Sequence, residues 1–247
     1  MTVMLVGGAR TEALRPLVDR FAELAAAHRA ERASDRPPRI AVVVAAARPG
    51  SVLAEAERML GGRFELVPLV ARLDTDGRGE VELGFDGHEL LDVDGVVVAD
   101  GPAGALVAAL DHRAGDLRRR VHEGMPYFGV GAGAAIAADR ALLGGHEIGG
   151  VAVAPETTDP GDPELRLGPG LGLVDLAIVP HAAQHGRVGL AVAAIEAELV
   201  DRVVAVDDDT ALEVGADGLR ILGAGSVWQC TGADSGVVVA SARADAA

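Results

Sequence analysis

Four short apolar runs constrain this chain more than any other feature. They are Val3–Val6, Ile40–Ala45, the run that closes Asp94–Ala99, and the opening of the stretch Met125–Ile136. A continuous apolar run is how a strand covered on both faces reads. Each run is followed by glycine or proline: Gly7-Gly8, Pro49-Gly50, Gly101-Pro102 and the cluster Gly129, Gly131 and Gly133. After the first turn, Leu14, Leu17, Val18, Phe21, Leu24 and Ala25 recur at helical spacing, which predicts an amphipathic helix from near Thr11 to the Arg-rich 29–36 and Pro37-Pro38. Ser51 is expected to cap a helix running to about Leu60, and Ala103–Leu110 reads as another helix. This β-α alternation predicts an α/β fold with a doubly wound, mainly parallel sheet between helix layers. In such sheets ligands bind at the carboxyl ends of the strands, so the turns after Val6, Ala99 and Val130 are expected to share one rim.

The remaining segments are less regular. Phe64–Val70 reads as a strand and Glu80–Leu83 as a minor edge strand. The acidic 155–163 stretch reads as a surface loop, and Leu173–Val179 as a strand running into Pro180-His181. A helix with Val188, Ala191, Ile195 and Leu199 on one face follows, and Val203–Val239 predicts antiparallel strands at the sheet edge. No repeat or linker divides the 247 residues, so one domain over 1–247 is expected.

Composition narrows the function classes. Aromatic residues are 2% of the chain, too few for a platform on which single-stranded nucleic acid could stack. The net charge is −15, with 37 acidic residues against 22 basic ones, all arginine, and such a surface repels phosphate backbones. Nucleic acid and membrane are not expected as partners, no apolar run reaches the roughly 20 residues of a membrane span, and no signal peptide is recognisable. Cys230 is the single cysteine, set in Ser226–Cys230, which reads as a strand, so a packed thiol and a cytoplasmic location are expected.

The frame Gly129-Val130-Gly131-Ala132-Gly133 matches the Gly-x-Ser-x-Gly elbow of α/β hydrolases, in which the middle residue carries the nucleophile and the next amide faces the oxyanion. Here the middle residue is Gly131. With Ala134 the run also fits a dinucleotide loop, although the acidic residue that should end a second strand about 20 residues later is missing. A third reading is a tight turn that needs small residues for packing. His181 stands where a strand meets a loop just before a helix, which suits a catalytic base of an α/β hydrolase and equally a surface or helix-capping histidine. His181 and His185 are spaced to chelate zinc on a helix, but Pro180 and Gly186 interrupt one, and no metal or other cofactor is expected. Asp207-Asp208-Asp209 follows an apolar run and could orient a histidine, hold a cation, or solubilise a turn.

Taken together and in order, these blocks resemble the serine-peptidase family of cyanophycinase and aspartyl dipeptidase (dipeptidase E). The elbow of that family reads Gly-Thr-Ser-Ala-Gly-Ala, against Gly129–Ala134 here. Its Asp-Gln-His-Phe-x-x-Arg-Gly-Arg block is similar to Val179–Arg187 after Leu171-Gly-Leu173. Its Gly-Ile-Asp-Glu-x-Thr-Ala-Leu run is similar to Ala205–Leu212, and its Gly-x-Gly-Ser-Val to Gly223–Val227. The resemblance implies a three-layer, class I glutamine amidotransferase-like fold. It makes His181 the base, Asp208 the acidic triad member and Gly131 the nucleophile position, with the amides of Gly101 and Ala132 as oxyanion donors and Asp100 and Arg187 as binding residues. The chain departs from the family at Gly131, at Ala103 in place of a substrate-binding Gln, and at Val179-Pro180 in place of Asp-Gln. These departures point to a pseudoenzyme that binds a peptide, a small acidic ligand or a protein partner, as a homodimer or with an active paralogue. The alternatives are a slow peptidase or amidase in which His181 activates water, and a nucleotide-binding protein.

Overall fold

The computed structural model describes residues 1–8, 13–31, 36–74, 82–83, 85, 87–156 and 162–244. The expected helix start near Thr11, residues 80–81 of the minor strand and residues 157–161 of the acidic loop lie outside them. The chain runs β1 (Thr2–Val6), α1 (Arg15–Glu31), β2 (Arg39–Ala46), α2 (Pro49–Leu60), β3 (Glu65–Arg72), β4 (Glu82–Leu83), β5 (Gly95–Val98), α3 (Ala103–Leu110), α4 (Ala114–His122), β6 (Tyr127–Val130) and α5 (Ala132–Ala135). Short strands β7 (Arg140–Leu142), β8 (Glu147–Ile148), β9 (Val151–Ala152) and β10 (Leu167–Pro169) follow. The last part holds β11 (Ala177–Val179), α6 (Val188–Glu196), β12 (Arg202–Val206), β13 (Thr210–Gly215), β14 (Gly218–Gly223), β15 (Ser226–Ala233) and β16 (Gly236–Arg243).

The main sheet has the order β14-β13-β1-β6-β5-β2-β3-β4. Its centre, β1-β6-β5-β2-β3, is parallel, and its flanking strands are antiparallel. Both faces are buried, as the unbroken apolar runs require. Val3, Leu5, Val43, Val96 and Val98 pack towards α3 and α4, whereas Met4, Val6, Val42, Val44 and Phe128 pack towards α1 and α2. Helices on both faces make three layers. Phe21 of α1 anchors the second interface, 5.3 Å from the ring of Phe128 and 6.1 Å from that of Phe64.

The structure corrects the sequence reading in three places. Ser51 lies inside α2 rather than capping it, because Pro49 can open a helix without an amide hydrogen, and its hydroxyl donates to the carbonyl of Arg48. The strand expected over Leu173–Val179 is reduced to Ala177–Val179; Leu173 and Val174 instead donate their amides to the carbonyl of Ala137. The C-terminal strands do not all extend one sheet: β13 and β14 edge the main sheet, while β11-β12-β15-β16 form a second sheet. That sheet packs on α6 around Ala191, Ile195 and the buried Cys230, whose thiol burial pushes its pKa up. No helix among the described residues is long and apolar enough to cross a membrane.

Strand register builds the site. Val6 pairs with Val130, and Val98 with Gly129, so the turns after β1, β5 and β6 emerge side by side. Val6 also pairs with Ala211 at the start of β13, which brings the β12–β13 turn, residues 207–209, to the same rim. In the second sheet Val179 pairs with Ala205, so His181 emerges beside that turn.

Candidate active site

The elbow is present as backbone. Gly131 has φ 55° and ψ −119°, a conformation that side chains rarely adopt. Its amide donates to the carbonyl of Val6 at 2.9 Å and its carbonyl accepts from the amides of Ala134 at 2.9 Å and Ala135 at 3.1 Å, while two residues on the hydroxyl of Tyr127 donates to the carbonyl of Gly133 at 2.6 Å. The helix that follows is the single turn Ala132–Ala135.

The space in front of Gly131 is filled by the chain itself. A Cβ at position 131 would lie 2.2 Å from Oδ1 of Asp100. That oxygen accepts from the amides of Ala132 at 2.8 Å and Gly101 at 3.0 Å, the two groups assigned to an oxyanion. The other oxygen, Oδ2, lies 3.3 Å from Nε2 of His181. Nδ1 of His181 is 2.7 Å from Oδ1 of Asp208. A neutral imidazole could donate to only one of these carboxylates, whereas an imidazolium donates to both.

Electrostatics agree with that geometry. Burial works against the charged form of His181, but the hydrogen bonds and charges of Asp100 and Asp208 outweigh it and raise the pKa of the imidazole. Burial likewise works against ionised Asp100, and the hydrogen bond with His181, reinforced by the amides of Ala132 and Gly101, turns the balance to a lowered value. The backbone at His181 is also held in an uncommon conformation, φ 56°, by its amide donating to Gly7 at 3.0 Å and the Ala182 amide donating to Val206 at 3.0 Å.

All seven residues singled out in the sequence come together. Gly101, Ala132, Asp100 and His181 line a cavity of about 140 Å³, together with Arg187 at the threshold of α6, and Gly131 and Asp208 stand immediately behind. None of the described residues lining this cavity carries a hydroxyl or a thiol. His185 stacks on His181 at 4.4 Å with the ring planes 14° apart. His181, His185 and Asp208 offer ligand atoms within 4.8 Å of one another. Residues 182–187 form turns rather than a helix, and nearly parallel rings aim their in-plane lone pairs side by side instead of at one point, which does not fit a tetrahedral ion.

Three features escaped the sequence reading. The occupation of the Gly131 space by Asp100 was one, and its only signal was an acid ending one strand beside a missing side chain on the next. Gly8 was another: a Cβ there would lie 2.3 Å from the ring of His181 and 2.4 Å from the Asp208 carboxylate. The third was the division of labour in the acidic triplet. Asp207 is buried and accepts from the Ala183 amide at 3.0 Å, the Ser226 amide at 2.9 Å and the Trp228 indole at 2.9 Å. Asp208 alone faces His181, and Asp209 makes the turn with φ 57°.

The sequence profile of peptidase family S51 matches residues 30–222. The chain belongs to peptidase family S51. The fold agrees: a crystal structure of a peptidase E-type protein from Listeria monocytogenes EGD-e superposes with a TM-score of 0.53 at 17% identity, covering 91% of this chain and 98% of that one. No curated protein sequence matches the chain. Within this S51 fold the elbow, the histidine and the acidic turn surround one cleft.

Proposed function

We propose that this S51 chain is a homologue without serine-peptidase turnover, whose cleft binds a peptide or small acidic ligand rather than cutting it by acyl transfer. The observation that carries this reading is the Asp100 carboxylate, bonded to the amides of Ala132 and Gly101 in the space where a side chain at position 131 would stand. A serine route needs a hydroxyl beside the base and an open pair of amides for the oxyanion. Here the cavity wall offers no hydroxyl, and the amides already hold an anion. Arg187 on the same wall supports an acidic ligand. Pairing with a second copy or with an active paralogue would be the further step of such a binding role.

Direct activation of water by His181 is the less favoured reading, because Nε2, the nitrogen that would take the proton, faces Asp100. A nucleotide loop is also less favoured, since the first amide of the elbow helix is taken by Asp100. The test is incubation of the purified protein with aspartyl and β-aspartyl dipeptides. No turnover above buffer is expected, and peptide cleavage that disappears in His181→Ala would overturn the reading.

A further inference from the structure

We infer that Asp100 can act as a covalent nucleophile towards small alkyl electrophiles, the two amides and the His181–Asp208 pair being arranged for a carboxylate in place of a hydroxyl. The inference rests on the reading that no serine chemistry occurs here, and it extends it to a different bond. Asp100 is held asymmetrically: Oδ1 takes both amide hydrogens, at 2.8 and 3.0 Å, while Oδ2 faces the histidine. The side chain lines the cavity and 51% of it is exposed, although the elbow and the histidine crowd the carboxylate enough for burial to work against its charge.

A carboxylate is poorly suited to cleaving peptides, since attack on an amide would give a mixed anhydride and expel an amide anion. Displacement at a saturated carbon makes neither. In the first step Oδ2 bonds to the carbon, the leaving group departs with the bonding electron pair, and Asp100 becomes an alkyl ester whose carbonyl oxygen is Oδ1. That oxygen already sits on the Gly101 and Ala132 amides, where the oxyanion of ester hydrolysis develops. Esterification also abolishes the negative charge that favoured the imidazolium, so His181 releases its proton to solvent and becomes a base. His181 then takes a proton from water as the hydroxide adds to the ester carbonyl carbon. The intermediate collapses with cleavage of the bond from that carbon to Oδ2, and the alkoxide takes the proton back from His181. The Asp100 carboxylic acid that remains returns its proton to His181. The net reaction is R–X plus water giving R–OH plus HX. With Arg187 on the wall of a cavity of about 140 Å³, the class of substrate is a small alkyl halide bearing a carboxylate.

Bromoacetate is the probe. The wild-type protein should release glycolate and bromide, and Asp100→Asn, which keeps the side-chain shape, should not. His181→Ala should slow ester hydrolysis by roughly 10²- to 10⁴-fold, the usual contribution of a general base, and accumulate a hydroxylamine-labile carboxymethyl ester on Asp100 seen by peptide mass mapping. Thermal melts of both variants check folding. Should His181→Ala fail to fold, a single turnover of the wild type in oxygen-18 water decides, with the label expected in Asp100 and not in the first glycolate. Alkylation confined to His181 or His185, label in the first glycolate, or equal release by Asp100→Asn would overturn the inference. Those results would leave the absence of peptidase turnover untouched, whereas His181-dependent dipeptide cleavage would break that reading whatever bromoacetate does.

Discussion

The wall of the cleft that carries the elbow is made of backbone, with Gly131 in its strained turn and the amides of Gly101 and Ala132 pointing inwards, and a single acidic side chain, Asp100, crosses it. The opposite wall is made of side chains, His181 and His185, with Asp208 and the buried Asp207 behind them, each with named partners. One wall positions groups by backbone and the other by side chains. Nδ1 of His181 is held by Asp208 without any part of the elbow, whereas its Nε2 meets the elbow wall at Asp100.

The largest expected effect tests whether the histidine wall is structural or merely juxtaposed. Asp207→Ala would strand the buried Ser226 amide and two part-buried donors, the Ala183 amide and the Trp228 indole. At about 1–3 kcal/mol for a group left dry, and with water reaching the part-buried pair, the loss should be about 3–5 kcal/mol, read as a fall in urea midpoint at unchanged slope. Asp208→Ala removes one charge-assisted contact to His181 and should cost less, about 1.5–3 kcal/mol. Equal losses for the two neighbours would erase the division of labour argued for the triplet.

The next effect tests the elbow. Gly131→Ser places a Cβ 2.2 Å from the Asp100 carboxylate at a φ of 55°, and should destabilise by about 1–3 kcal/mol. Combining it with Asp100→Gly should recover the steric part of that loss, giving a measurable coupling in a double-mutant cycle. Labelling by a serine-reactive phosphonate is expected only in the double variant, where the hydroxyl stands beside His181 and the amides are free. Labelling of the wild type at any serine or threonine in the cleft would overturn the proposed inertness towards peptides.

Much of this was legible in the sequence because it depends on pattern. The apolar runs Val3–Val6 and Ile40–Ala45 and the helix Ala103–Leu110 come out as strands and helix because doubly covered strands leave an unbroken apolar signal. The shared rim follows from strand polarity alone. What was not legible depends on distances between residues remote in sequence. Asp100 and Gly131 are far apart along the chain, and nothing in either segment says that one fills the space of the other. Likewise, three successive aspartates look alike in sequence, and only the pairing of β12 with β15 buries Asp207 beneath Trp228 while turning Asp208 to the cleft. The second sheet escaped because antiparallel strands carry the same alternation whichever sheet they join.

A smaller effect is the pH dependence shared by the two walls. His181 is held above its ordinary value of 6.5, so its stabilising contribution is complete below that pH and is lost as pH rises through the folded-state value. Asp100 is held below 3.8, so its contribution is present above that pH and is lost as pH falls through the folded-state value. Stability from the pair should therefore be greatest between 3.8 and 6.5. Asp100→Asn should lower the His181 pKa, followed through its ring protons by NMR, and flatten the alkaline limb. An unchanged titration would mean that Asp208 alone holds the imidazolium and that the elbow wall does not reach it.

The smallest expected effect concerns His185, which touches the histidine wall only through its ring. At 4.4 Å and 14° the contact is a face-to-face stack, and truncation in His185→Ala should cost less than about 1 kcal/mol. The same variant separates the stack from a chelating pair. A metal bound at a hundred times its dissociation constant would add about 2.7 kcal/mol, enough to raise the melting temperature clearly in the wild type and not in His185→Ala. Equal, negligible responses of both proteins to zinc are expected, because the two ring planes are nearly parallel and their nitrogens cannot converge on one ion without rotating a ring away from its partner. Since Nδ1 of His181 is tied to Asp208 and Nε2 faces Asp100, the ring that must rotate is His185, and the cost of chelation is the stack itself.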